Sequence, residues 1–315
     1  MDHKDRTLVL ALIGILLLLV GIPVGFLGPI EAYTFYLFSE GGRFAYPGFG
    51  FGSFMFGNIA SQIIGYYSIA ILLIPLGYGH LKTRRWARTL SLALLWVWLV
   101  VGAPLALLFL VILGASKDIT MAVAIATMVL LALSYLVLPA AMIRFYRSRN
   151  VRLTFEAKDP DSYWIERLPM PILVLGALGL FYIVMLHIPI LFNGLFPLMG
   201  RFASGLQGIE LLTASIAVLI CLTWATFSRR RWAWWGSLIY AVLMTASLLM
   251  TLVRSSWAEI LRVLQFPPKE VEFLDGLPIQ GYHLAILVGV PLIITLGVIV
   301  CARPYFRPDT APSTR

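Results

Sequence analysis

Two histidines, His187 and His283, have the side-chain type and placement that could do chemistry as a pair. Each falls near the outer end of an apolar run, at similar depth, and two imidazoles at matched depth can ligate a haem, a chlorophyll-type pigment or a metal. The plainer reading, preferred here, is an interfacial histidine with its polar tip in the headgroups. No cofactor or metal is expected on that reading, and His187 and His283 stand as the candidates for cofactor binding. His80 lies beside a basic loop and is given no special role.

Other chemistry is sparse. Ionisable side chains in hydrocarbon are costly and usually mark function, yet Glu31, Glu210 and Arg254 all fall at the ends of apolar runs, where water reaches them. Without a deep carboxylate or histidine, proton-coupled transport loses support. The sequence carries no Walker-type Gly-x4-Gly-Lys, no His-Glu-x-x-His, no Gly-x-Ser-x-Gly and no Asp-rich pyrophosphate cluster, so no catalytic residue is assigned and the chain is read as leaning away from an enzyme. Cys221 and Cys301 are too isolated to form a Cys-x-x-Cys pair, and no disulfide is expected.

The elements that must carry these residues are membrane spans. Of 315 residues 60% are hydrophobic and 12% charged, and the mean hydropathy is +0.90. Uncharged runs of about 20 residues match the thickness of the bilayer core. They fall near 7–29, 58–79, 89–113, 119–143, 170–192, 209–227, 234–254 and 281–302. The fold expected is all-α, a polytopic integral membrane helical bundle of about eight transmembrane helices, with the first span an uncleaved anchor.

Orientation follows from the 24 lysines and arginines. With the N-terminus inside, every one lies on the cytoplasmic side except Arg43, Lys117, Arg201, Arg254, Arg262 and Lys269. Both termini are therefore expected in the cytoplasm, in a bacterial-type cytoplasmic (inner) membrane. The pI of 9.7 is explained by topology, and nucleic acid is not expected as a partner. The expected partners are the lipid bilayer and other membrane proteins.

Arg84-Arg85-Trp86-Ala87 between spans two and three repeats as Arg230-Arg231-Trp232-Ala233 between spans six and seven, an offset of 146. Both halves also end in an aromatic and basic exit, Arg144-Phe145-Tyr146-Arg147 and Arg303-Pro304-Tyr305-Phe306-Arg307. The simplest account is a duplicated four-span unit, 1–143 and 169–302, in parallel orientation, with a cytoplasmic linker at 144–168 and a tail at 303–315. The competing account is that Arg and Trp are ordinary interface anchors.

Two outer loops stand out. Gly41 to Asn58 mixes glycines with phenylalanines and reads as irregular backbone at headgroup level. In Ser255 to Gln280, Trp257, Ile260, Leu261 and Leu264 at helical spacing predict a short amphipathic helix on the outer surface. Three functions remain open. The first, mildly preferred, is a non-catalytic membrane subunit or scaffold. The second is a transporter or channel for a small weakly polar or lipidic solute, using the cleft between the halves. The third is a haem or pigment protein using His187 and His283.

Overall fold

In the structure, a computed structural model, residues 4–115, 120–276 and 279–306 are described. Lys117, Arg307 and Arg315 of the charge count lie outside them. The fold is all-α, about 80% helical, and eight helices among the described residues are long and apolar enough to span a membrane. Such a chain is a multi-pass membrane protein, and the bilayer is its solvent. It divides into two compact units, Met1–Ala93 with Ala141–Arg167, and Leu94–Ala140 with Leu168–Arg315. This division by contact differs from the sequence division at 143 and 169.

In the first unit α1 (Thr7–Phe38) and α2 (Phe54–Leu81) pack antiparallel along their length. Glycines make the close approach possible, because small residues let backbones meet where lipid offers no hydrophobic drive. A side chain on Gly14 would strike the carbonyl of Gly77 at 2.8 Å; Gly21 faces Leu73 and Ile74, and Gly28 faces Tyr67. α1 is longer than the run read from sequence, continuing through Pro23 and Pro29 to Phe38. The loop to α2 is irregular as expected only as far as Ser53, whose hydroxyl accepts from Phe56 N–H and caps α2. Its rings stack back on the helix ends, with Phe35 edge-on to both Phe49 and Phe56.

α3 (Arg85–Ala115) follows α2 after a tight turn. The fourth span consists of α4 (Met121–Ala132), a π-turn (Leu133–Val137) and α5 (Leu138–Arg147). The π-turn immediately precedes Pro139, which lacks an N–H and would crowd the preceding carbonyls, so the wider turn relieves both. The segment read as a linker is partly helical: α6 (Arg149–Lys158) is followed by a 3₁₀ turn at Trp164–Arg167.

In the second unit α7 (Met170–Leu191), α8 (Gly205–Phe227), α9 (Arg231–Leu252) and α12 (Gly281–Ala302) form a ring in which each packs on the next and α12 returns to α7. Ile172, Leu175, Trp234, Ala241, Ile299 and Ala302 form one buried cluster of this ring. Its polar groups bond to one another: Tyr182 to Thr295 at 2.7 Å, Ser215 to Tyr240 at 2.6 Å, and Trp234 Nε1–H to the carbonyl of Ile299 at 2.8 Å.

Between α7 and α8 lies an unforeseen hairpin, β1 (Phe196–Leu198) and β2 (Arg201–Ala203). Its two-residue loop has positive φ at both Met199 (45°) and Gly200 (93°), as a type I′ turn requires. Ser247 and Thr251 of α9 accept from the N–H groups of Met199 and Gly200 at 2.9 Å each. The amphipathic helix read from sequence is present as α10 (Trp257–Leu264), with Ile260, Leu261 and Leu264 buried, and a second short helix, α11 (Pro268–Asp275), follows it.

Candidate functional site

The two histidines singled out by sequence occupy unlike settings. His187 is exposed on α7, its Nδ1 bonded at 2.7 Å to the carbonyl of Ile183 one turn earlier. His283 is 3% exposed, its ring enclosed by the protein. Its Nδ1 accepts from Gln280 N–H at 3.0 Å in a capping box at the start of α12, and its ring lies against Tyr282. Nε2 of His283 is buried with no hydrogen-bond partner among the described residues. No hydrogen bond or ring contact joins His187 to His283, and the described residues hold no group of three His, Cys, Asp or Glu able to bind a metal ion. Cys221 and Cys301 are free and exposed.

The densest polar constellation instead surrounds the first Arg-Arg-Trp-Ala turn, and it includes His80. α2 ends with Thr83 in the left-handed region (φ 50°) and Arg84 N–H bonded to the Gly79 carbonyl at 2.7 Å, a helix end of Schellman type. His80, fully buried, has Nδ1 at 2.7 Å from the Leu76 carbonyl and Nε2 at 2.6 Å from the Tyr146 hydroxyl. A carbonyl only accepts, so Nδ1 carries the proton and Nε2 accepts from Tyr146. The two bonds form a directed chain from Tyr146 through His80 to Leu76. The rings of Tyr146 and Phe155 stand edge-on to the imidazole. The sequence reading gave His80 no role because its partner lies 66 residues on.

Asp159 joins this cluster from the end of α6. Its side chain has no solvent exposure; Oδ2 accepts from Arg85 N–H at 3.0 Å, capping α3, while Oδ1 accepts from Arg84 Nη1 at 3.1 Å. Burial opposes its charge, but the bonds from Arg85 N–H, Arg84 and Tyr163 together outweigh burial and hold the carboxyl below its ordinary value. Arg85 pairs with Glu166 at 3.0 Å, and Arg88 donates to the Tyr146 carbonyl at 2.9 Å. Each arginine here is matched by an acceptor from 141–167. The arrangement is a lock: its histidine, phenol and carboxylate are enclosed and mutually satisfied.

The second Arg-Arg-Trp-Ala turn has the same backbone. At the offset of 146, Arg229 is left-handed (φ 54°) where Thr83 is, and Arg230 N–H reaches the Ala225 carbonyl as Arg84 N–H reaches that of Gly79. Ala87 and Ala233, at matching positions, are both fully buried. The surroundings differ. No described carboxylate pairs with Arg230 or Arg231, and α9 begins without a side-chain cap. In place of the lock there is an open cleft of about 270 Å³ lined by Arg231, Trp234, Trp235, Arg303, Pro304 and Phe306. The Arg303 guanidinium lies over the Trp234 ring, 5.2 Å from its centroid.

No protein family, curated protein or solved structure matches this chain.

Proposed function

We propose that this protein is a non-catalytic membrane subunit or scaffold. The observation that carries the reading is the fourth span, Met121–Arg147, whose apolar window contains no buried residue. It touches α3 through Tyr135, which lies against Gly102 and edge-on to Trp98, and an apolar gap of about 130 Å³ remains between the two helices. Helices in lipid associate by close packing, so a span left this bare offers its surface to lipid or to a neighbouring membrane protein. The pairing of His80 with Tyr146, Tyr182 with Thr295 and Ser215 with Tyr240 supports the same reading, because these polar groups are occupied with one another.

The matched turns at Arg84 and Arg230 support a duplicated four-span unit, and the basic bias supports termini on the cytoplasmic side of an inner membrane. Native mass spectrometry of the protein gently extracted from its own membrane, with an absorption spectrum of the same sample, tests the function. The expected result is a colourless assembly with partner subunits at fixed stoichiometry. A particle of 35.1 kDa or a simple multiple would favour a self-sufficient carrier, and a visible absorption band would favour the histidines.

A further inference from the structure

We propose that the cleft beside the second Arg-Arg-Trp-Ala turn binds the phosphate of an anionic membrane lipid. The inference starts from two turns with one backbone and opposite charge balance. At the first, Arg84 and Arg85 find carboxylates within the chain, Asp159 at 3.1 Å and Glu166 at 3.0 Å. At the second, Arg231 and Arg303 line one cleft and neither is paired with a carboxylate among the described residues. Among the described residues nothing at the second turn supplies the counter-anion that the first turn carries internally. Guanidinium groups suit phosphate because their planar donors match its oxygens.

The walls of the cleft select a lipid over a free ion. Trp234 is anchored through Nε1 to the Ile299 carbonyl and packs in the buried cluster of the ring, so the floor beneath the guanidiniums is rigid and apolar. Trp235, at the rim, is 49% exposed and Arg303 is held over the Trp234 face. Arg231 opens α9 and Arg303 follows α12, so the cleft sits at the ends of two spans, at the depth of lipid headgroups. A phosphodiester between the arginines would leave its glycerol and acyl chains against the tryptophans, where interfacial aromatic rings are at home.

The test counts lipids retained by the full chain in native mass spectrometry, with phosphatidylglycerol and phosphatidylcholine supplied in equal amounts. The wild type should keep phosphatidylglycerol selectively, and R231Q and R303Q should each lower that preference by about fivefold, the effect of one basic residue at an anionic surface. R303K, which retains charge but not the planar group over Trp234, should restore only part of it. R201Q, an equal loss of charge elsewhere, should change nothing. Thermal unfolding in phosphatidylcholine alone identifies any variant that fails to fold, and W235A then serves as the second probe, with the same loss expected. Equal retention of the two lipids by the wild type, or full phosphatidylglycerol preference in R231Q and R303Q, overturns the proposal. Displacement of the lipid by millimolar inorganic phosphate would assign the cleft to a free anion, and arginine-dependent retention of an acidic protein would assign it to a partner; either outcome also overturns it.

Discussion

Asp159 has no exposure to solvent and takes hydrogen bonds from the N–H that opens α3 and from the guanidinium of Arg84. A carboxyl held below its ordinary 3.8 stabilises the fold fully above that value. As pH falls past 3.8 the unfolded segment binds the proton first, and the contribution is gone once pH has passed through the lower folded value. The protection factor of the amides across Arg149–Lys158, with the intrinsic exchange rate divided out, should therefore be the same at about pH 7 and pH 5 and should fall as pH drops below 3.8. Asp159→Asn should lower that protection already at neutral pH, since it removes the charge that accepts from Arg84 and from the N–H opening α3. Unchanged protection in that variant would remove Asp159 from the lock.

At the scale of elements, the close pairing of α1 and α2 rests on glycines, and it predicts an asymmetric response to substitution. Gly14→Val puts branched carbons against the Gly77 carbonyl and His80, and should lower stability by about 1–3 kcal/mol in a thermal melt in detergent. Gly65→Ala, on the same helix pair but with nothing within 4 Å of the added carbon, should be neutral or slightly stabilising. A matching loss in both variants would mean that backbone freedom, and not close packing, sets the outcome. The spacing of Gly14, Gly21 and Gly28 was not among the features read from sequence, because apolar run length, which identified the spans, says nothing about which face is packed. The hairpin was not legible. Met199 is not a residue that favours positive φ, and the hydroxyls that hold it there, Ser247 and Thr251, lie about 50 residues away. Nor was the role of Asp159 legible, since its partners Arg84 and Arg85 are 75 and 74 residues away in the chain. The short helix after Trp257 was legible because its pattern is local, with Ile260, Leu261 and Leu264 on one face.

For the whole molecule, eight spans follow from hydropathy because a bilayer admits few other solutions for so apolar a chain. The side of the membrane on which each loop lies is a separate matter, and here the basic residues make a prediction. In a cysteine-free background, single cysteines at Lys82 and Ser228 should resist a membrane-impermeant thiol reagent in intact cells, while cysteines at Arg43 and Arg201 should be labelled. Labelling at Lys82 with protection at Arg43 would invert the topology; opposite results at Lys82 and Ser228 would break the parallel relation of the two halves. The site was less legible than the topology. The two arginine turns are recognisable in sequence, but only packing shows that one is neutralised by Asp159 and Glu166 and the other left open.

That first turn has a history as well as a shape. Asp159 and Glu166 are 75 and 81 residues further along the chain than the arginines they join. At a synthesis rate of about 5–20 residues per second, roughly 4–16 s pass between the appearance of the arginines and that of their carboxylates. During that interval the turn carries its full positive charge, the condition under which a loop resists crossing the membrane. The lock closes only afterwards, so the arginines that are paired in the finished protein are made well before the carboxylates that pair with them.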